Sequence, residues 1–533
     1  MNDKTKKSFL IVSSIIFAIA FCGITWFIKT RINFLLNSDD SSELILARLL
    51  SSENKLLSKN WYYSTELRVI NTQIFYAFFF KIFDNWHKIR IASYICLYTT
   101  MIATYYFTCK KLKIQKYFFI TAALLMIPFS NEYFMFTLKG AYYIPHISIT
   151  FFTLGLCESY VAQMNKNRQK IYIAIGLLFS IFAGMGGVRQ LIILYIPLVL
   201  VASIIMISEL LVTNKKIICN LTLENKKYII FSVTSFIGSV IGYIINTKVL
   251  SKIYSFSNWN DFSFTGFDIS KLSTIIDGFL SSYGYTPGTI FSSALLCNFL
   301  CACWLILTVG SCIYFLKNKK SVEPAHFRLT LFTVMAFTIF VAICMFTNFP
   351  YSIKYDLPII ILSVPMIAVL FKNIKLHNFY KDIIITIFAL LVACSGFIFC
   401  KARYKFDETA VLRDIVTVLQ NEKYTEGYAT FWNANVLTEL SNGAINVWCW
   451  PPSSSDDHSI PVANIDDTFK WLQLVNHDYT HPKGKIFLLF TKDEWENNPW
   501  IGKLSTEHII YQSDEYIVIG YENYDKLKSD TTQ

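Results

Sequence analysis

Asn37-Ser38-Asp39-Asp40-Ser41-Ser42-Glu43, running directly into Leu44-Ile45-Leu46-Ala47-Arg48-Leu49-Leu50, puts two adjacent carboxylates in front of an amphipathic stretch. Upstream, Phe9 to Ile28 is an apolar run of membrane-spanning length, preceded by Met1-Asn2-Asp3-Lys4-Thr5-Lys6-Lys7 and not followed by a small-residue cleavage site. It reads as an uncleaved first span, with Lys4, Lys6 and Lys7 holding the N-terminus in the cytosol. The carboxylates then emerge on the opposite face, close to the membrane surface.

Beyond this first outer loop, residues 29–88, further apolar runs fall near 89–108, 117–130, 144–163, 171–187, 190–211, 228–247, 289–316, 328–346, 356–371 and 382–400. With the first they make about eleven spans. Basic clusters test the count. Lys110-Lys111-Leu112-Lys113, Asn165 to Lys170, Lys215-Lys216 with Lys226-Lys227, Lys317 to Lys320, and Lys372 to Lys381 occupy every second loop, all on the side of the N-terminus. The alternation holds if Val69 to Phe83, with Asn71, Thr72, Gln73 and Lys81 inside it, does not cross; it reads as an interfacial or re-entrant helix on the outer face.

The odd count leaves the chain after Cys400 outside, where the composition turns polar. Residues 401–533 carry strand-like runs at Lys485 to Phe490 and Tyr516 to Ile519, and helix-like runs at Thr409 to Gln420 and Asp466 to Val475. The expected fold is a polytopic α-helical membrane protein over 1–400 with a soluble mixed α/β domain over 401–533 on the outer face.

Composition agrees. Of 533 residues 54% are hydrophobic, 17% aromatic and 16% charged, too apolar for a soluble enzyme of this length. The net charge of +11 sits largely in the short loop clusters, a positive-inside pattern and not a nucleic-acid footprint. Most of the 13 cysteines lie inside apolar runs, so neither a disulfide framework nor a zinc site is indicated. No metal or other cofactor is expected.

Three polar clusters fall on the outer face. The Asp39-Asp40 pair could be a general base at a lipid headgroup, or Ser and Asp here could simply cap the helix that follows. Gly184-Met185-Gly186-Gly187-Val188-Arg189-Gln190 joins two spans; its glycines permit close helix approach and a tight re-entry, and Arg189 offers a planar fork to a phosphate or merely snorkels. Asn348-Phe349-Pro350-Tyr351-Ser352-Ile353-Lys354-Tyr355-Asp356-Leu357-Pro358 sets Lys354 and Tyr355 at the interface, as a phosphate clamp or an aromatic belt with one cation. The loop Phe136 to His146 adds Lys139 and His146, the latter a contact residue or a packed polar group. In the C-terminal region Tyr428 to Asn435, which contains Trp432, Trp448-Cys449-Trp450-Pro451-Pro452 and Asp456-Asp457-His458 could bind a sugar or form core. There is no phosphate-binding Gly loop, Walker motif, His-Glu-x-x-His or Gly-x-Ser-x-Gly, so a nucleotide-driven engine is unsupported.

Taken with Lys88-Ile89-Arg90-Ile91 at the entry to the second span, Gly187-Val188-Arg189 at an outer membrane edge, and Lys354-Tyr355 before Leu357-Pro358, the Asp39-Asp40 loop resembles the GT-C superfamily of membrane glycosyltransferases. The similarity covers roughly the first 400 residues as architecture. It departs from the family in having Lys-Tyr where Arg-Tyr is common, and in lacking a proline pair after the first loop. The resemblance implies an inverting transfer of sugar from a polyprenyl-phosphate donor to a cell-envelope glycan or polymer acceptor at the outer face of a cell membrane. It implies Asp39 or Asp40 as base, Arg189, Lys354, Tyr355 and Lys139 on the donor phosphate, and His146 and Trp432 as acceptor or sugar contacts.

Other classes predict other patterns. A lipid-linked glycan flippase predicts broken helices and ionisable residues within spans, of which few are present. An O-antigen-type polymerase predicts an Arg/His cluster on one long late loop and no terminal domain. A non-enzymatic scaffold needs none of the three clusters. The expected partners are a polyprenyl-phosphate sugar, a glycan acceptor and membrane lipid, with no nucleic acid.

Overall fold

The computed structural model describes residues 3–64, 67–213, 221–256, 263–288, 293–349, 351–450, 468–497, 504 and 506–531. Lys215-Lys216, Pro350, Pro451-Pro452 and Asp456-Asp457-His458 lie outside the described residues. Every apolar run expected to cross carries a helix. α1 (Asp3–Arg31) leads to α2 (Ser38–Glu53) and the short α3 (Gln73–Phe79) before α4 (Trp86–Lys111). α5 (Phe118–Met126) breaks at Ile127-Pro128 and bends by 88° into α6 (Asn131–Tyr133) and the π-helical turn Phe134–Lys139. Then come α7 (Ile144–Ala162), α8 (Lys166–Gly184), the single turn α9 (Val188–Gln190) opening into α10 (Ile196–Thr213), and α11 (Leu223–Ile244). α12 (Lys271–Ser282) precedes α13 (Ser293–Lys317), α14 (Pro324–Phe346), α15 (Leu357–Asn373) and α16 (Asn378–Tyr404).

Among the described residues, six helices are long and apolar enough to cross a membrane, or up to seven if the bent pair is one span. That is fewer than the about eleven read from hydropathy, and the shortfall has a physical origin. α4 is diluted by Tyr94, Tyr98, Thr99, Thr100, Thr104, Tyr105 and Tyr106, α8 spends its first turn on Lys166 to Lys170, and α15 has only 17 residues. α7 contains His146 and Glu158, yet it and α15 are buried along almost their whole length. A helix surrounded by other helices need not be lipid-like on every face. α3 is seven residues long, roughly 10 Å, too short to cross.

After α16 the chain builds a five-stranded mixed sheet of order β4-β3-β6-β8-β7 from β3 (Glu426–Thr430), β4 (Asn446–Trp450), β6 (Ile486–Thr491), β7 (Ile509–Gln512) and β8 (Tyr516–Tyr521). β3 runs parallel to both β4 and β6, and β8 is antiparallel to β6 and β7. Strand alternation sorts its side chains. Ala429, Val447, Phe487 and Val518 face α17 (Ala410–Asn421) and α18 (Phe431–Leu440), while Tyr428, Trp448, Leu488 and Ile519 form a second core on the other side. A smaller sheet, β2-β1-β5, ties β1 (Trp61–Tyr63) of the first loop to β2 (Ser255–Phe256) and β5 (Gln473–Leu474). Of the stretch Asp466 to Val475 expected as a helix, residues 466–467 lie outside the described residues and 468–475 form no α-helix: Gln473–Leu474 is a strand, recruited by β1 through register Tyr62↔Gln473, and a 3-10 turn follows at Val475–Asp478.

Candidate active site

The first turn of α2 places both carboxylates. Its cap is Asn37, whose Oδ1 accepts from the Asp40 amide at 2.9 Å, and not Ser or Asp as the pattern alone suggested. Asp39 and Asp40 therefore lie inside the helix, near its positive end, about 100° apart around the axis. They face different surroundings. Asp40 is 2% exposed and turns inward. Beside it Arg90, wholly buried on α4, donates from Nε and Nη2 to Glu439 at 2.8 and 2.6 Å and from Nη2 to the Asp40 carbonyl at 3.0 Å. Lys139 Nζ pairs with Glu408 at 2.7 Å. Burial pushes the Asp40 carboxyl up to about 7 despite the pull of Arg90 and Lys139, and its Oδ2 is buried without a hydrogen-bond partner.

Asp39 is half-buried. Burial raises its carboxyl above the usual range, Arg68 opposes the rise, Glu43 adds to it and Lys354 again opposes it. Asp39 is thus the carboxylate within electrostatic reach of Arg68 and Lys354. Glu43, one turn on, is held by Thr72 Oγ1 at 2.6 Å.

Four residues singled out in the sequence line a single groove of about 360 Å³: His146, Arg189, Lys354 and Tyr355. Its remaining walls are mostly apolar, with Ile147, Ile193, Leu357, Pro358 and Ile361 running away from the basic end. The Arg189 guanidinium lies 4.9 Å from the ring of Tyr143 and 6.0 Å from that of Tyr355, and Lys354 Nζ is 5.4 Å from the latter. Gly187, at φ 99°, makes the turn that delivers Arg189, and a Cβ on Gly184 would stand 2.1 Å from the Ser239 carbonyl of α11. Lys354 and Tyr355 ride on a loop held by Asp356, which accepts from Tyr351 Oη and from Ser282 Oγ at 3.1 Å on α12. His146 is 2.9 Å from the Gln190 amide through Nδ1, and its Nε2 is buried without a partner.

Two other residues are placed differently. Lys139 is beside Asp40, but in an ion pair with Glu408, not in the groove. Trp432 is 42% exposed at the start of α18, edge-on to Phe431 at 5.2 Å. Tyr428, Trp448 and Trp450 are core, with Tyr428 and Trp450 stacked at 5.2 Å. Arg68, Glu408 and Glu439 were not foreseen. Arg68 stands alone between Leu67 and Val69 with no motif to mark it, and the two glutamates become visible only when α17 and α18 fold back onto the membrane end. Among the described residues no three His, Cys, Asp or Glu side chains gather in a group that could hold a metal ion.

No protein family and no curated protein matches the sequence. Solved structures do. ArnT from Cupriavidus metallidurans in the apo state superimposes with TM-score 0.53 at 8% identity, over 95% of this chain and 97% of that one. The same protein bound to undecaprenyl phosphate gives 0.52 at 9% identity over the same shares. The fold is GT-C-like. The oligosaccharyltransferase of Archaeoglobus fulgidus, in complex with zinc and sulfate, aligns at TM-score 0.47 and 10% identity over 81% of this chain, which spans 62% of that longer protein. In the GT-C-like frame of this chain, a multi-pass membrane protein with a C-terminal mixed sheet, a half-buried carboxylate stands within electrostatic reach of Lys354, which with Arg189 edges an apolar groove. That arrangement suits a ligand with an anionic head and a hydrocarbon tail.

Proposed function

We propose that the chain is an inverting glycosyltransferase that moves a sugar from a polyprenyl-phosphate donor to a cell-envelope glycan or polymer acceptor on the outer face of the membrane. The observation that carries this reading is Arg189 and Lys354 converging on one apolar groove, with Asp39 in electrostatic reach of Lys354. The two cations receive the phosphate and the isoprenoid lies along Ile193, Leu357 and Ile361. Asp39 takes the proton of the acceptor hydroxyl. The freed oxygen attacks the anomeric carbon from the side opposite the phosphate, the bond from that carbon to the phosphate oxygen breaks, and the lipid phosphate departs with a further negative charge that Arg189 and Lys354 stabilise. Attack opposite the leaving group inverts the anomeric configuration.

Asp39 is preferred over Asp40 as base because the Asp40 carboxyl is buried, flanked by cations already paired, and pushed to about 7. Asp40 then serves to hold α2. Tyr355 orients Arg189, His146 borders the groove on the acceptor side, and Trp432 offers a flat exposed face to a sugar. The N-terminus lies in the cytosol, 1–400 forms the transmembrane domain and 401–533 an extracytoplasmic one. The test is transfer of radiolabelled sugar from membranes holding polyprenyl-phosphate-linked donors, comparing wild type with folded Asp39→Asn and Asp40→Asn. Loss in Asp39→Asn with accumulation of donor supports the reading; full activity in both removes the base, and no transfer by wild type from any donor pool removes the reaction.

A further inference from the structure

Between the apolar runs 228–247 and 289–316 the chain carries Phe264, Phe267 and Ile269, large apolar side chains 76%, 62% and 62% exposed, directly ahead of α12. They are held at the end of a span. The Thr265 and Asp268 amides donate to the carbonyls of Phe346 and Met345 at 3.0 and 2.9 Å, and the Asn348 amide donates back to the Ser263 carbonyl at 3.0 Å. The rings of Phe264 and Phe267 lie 6.1 and 5.4 Å from that of Phe346. Phe346 is the last residue of α14, whose 23 residues cover about 35 Å, just over the roughly 30 Å of a bilayer's hydrocarbon. The three side chains therefore stand where α14 leaves the hydrocarbon.

From there α12 runs back down along α14. At its start Lys271 Nζ donates to the Thr347 carbonyl at 2.6 Å, Ile275 shares a core cluster with Phe340 and Cys344, and the ring of Phe279 is 5.3 Å from that of Phe337. From Thr347 back to Phe337 is ten residues, about 15 Å towards the bilayer centre. Helical spacing then divides the surface of α12 in three. Ile275, Gly278 and Ser282 are buried against the bundle, Leu272 and Ile276 are exposed on one flank, and Ser273 and Asp277, about 100° further round, are exposed on the other. Bulk water disfavours the first flank and hydrocarbon disfavours the second. A boundary with lipid on one side and water on the other satisfies both. The Leu272 amide donates to the Ile269 carbonyl at 3.1 Å, joining the apolar flank to the apolar loop ahead of it. Side chains of carbon alone offer a glycan no hydrogen bond, whereas the acyl chains around α14 reach its exposed last residue, Phe346.

We infer that residues 263–282 form an interfacial anchor, with Phe264, Phe267, Ile269, Leu272 and Ile276 among the acyl chains of the leaflet at which α14 ends, and with Ser273 and Asp277 in water. Only the crossing of α14 is required for this, not sugar transfer. The anchor also gives the groove a footing. Ser282, the last residue of α12, donates to Asp356 at 3.1 Å, so the loop bearing Lys354 is tied to a helix set at a fixed depth in the lipid.

The test uses the purified full-length protein in phosphatidylcholine nanodiscs, labelled with bimane at Phe267→Cys, Ile276→Cys or Asp277→Cys in a background with Cys22, Cys219 and Cys394 replaced by Ser, the emission of the labelled parent being subtracted. The quenchers are a phosphatidylcholine carrying a nitroxide high on its acyl chain, and aqueous iodide. Labels at 267 and 276 are expected to lose most of their emission to the nitroxide lipid and little to iodide, and the label at 277 the reverse. Should a variant at 276 or 277 fail to fold, Leu272→Cys and Ser273→Cys, one turn earlier on the same two flanks, carry the same expectation. Iodide quenching at 267 and 276 as strong as at 277 overturns the anchor, because that surface then faces water. Labels there that neither quencher reaches overturn it as well, because protein then covers them. Nitroxide quenching at 277 equal to that at 276 overturns the division into two flanks.

Discussion

At the scale of the residue, adjacent aspartates on one helical turn sit in unequal surroundings. Asp39→Asn is expected to lower sugar transfer by about 100-fold or more, as loss of a positioned base does, whereas Asp40→Asn leaves most of the rate; the same transfer assay checks both. Activity should fall on the acid side at a pH above that of an ordinary aspartate, because burial lifts Asp39 more than Arg68 and Lys354 depress it. Asp40 has a different signature, in stability. Its folded form keeps near pH 7 a proton that the unfolded chain gives up near 3.8. Protons are then bound more tightly in the folded state, so this contribution weakens as pH climbs between those values, by about 4 kcal/mol in all, and is level above them. Melting wild type and Asp40→Asn across pH 4 to 8 should show the slope in the first and its loss in the second. Replacing Arg189 or Lys354 by Ala should cost about 100-fold in transfer, the usual effect of removing one donor from a developing anion.

At the scale of the element, α2 is held at three points: by Asn37 at its start, by Arg90 through the Asp40 carbonyl, and by α18, where Ser38 Oγ donates to the Phe431 carbonyl. Asn37→Ala removes one cap and should lower stability by about 1 kcal/mol. Glu439→Gln is the harsher change, since it strands a fully buried guanidinium; the expected loss is about 3–5 kcal/mol, while replacing Arg90 and Glu439 together by Met and Leu should recover much of it. Thermal melts of the three variants make the comparison. The elements also show where sequence reading succeeds. Helix positions are legible because a bilayer demands long apolar runs, and Arg189 and Lys354 stand out as charges at the ends of such runs. β6 and β8 are legible from their unbroken apolar strings, but β3 and β4 open with Glu426 and Asn446 and carry no such mark. Arg68 and Glu439 were hidden because their importance comes from neighbours hundreds of residues away or from a loop without periodicity.

At the scale of the whole molecule, the proposed orientation sets the groove and the mixed sheet together on the outer side. An impermeant thiol reagent applied to intact cells should label the exposed Lys526→Cys, and not Lys170→Cys at the start of α8, in a background with Cys219 and the two cysteines exposed among the described residues, Cys22 and Cys394, replaced by Ser. Reversed labelling would overturn that orientation.

The pairing of Arg90 with Glu439 and of Lys139 with Glu408 also sets a timetable. The two cations are synthesised and delivered to the membrane edge hundreds of residues before their carboxylates leave the ribosome. Until the segment past α16 has been made and has docked, the first turn of α2 stands among uncompensated positive charges and lacks the guanidinium geometry that pins it. A chain interrupted after Tyr404 would therefore hold every residue of the groove and still be unfinished, so that the last quarter of translation acts as the licence for the first.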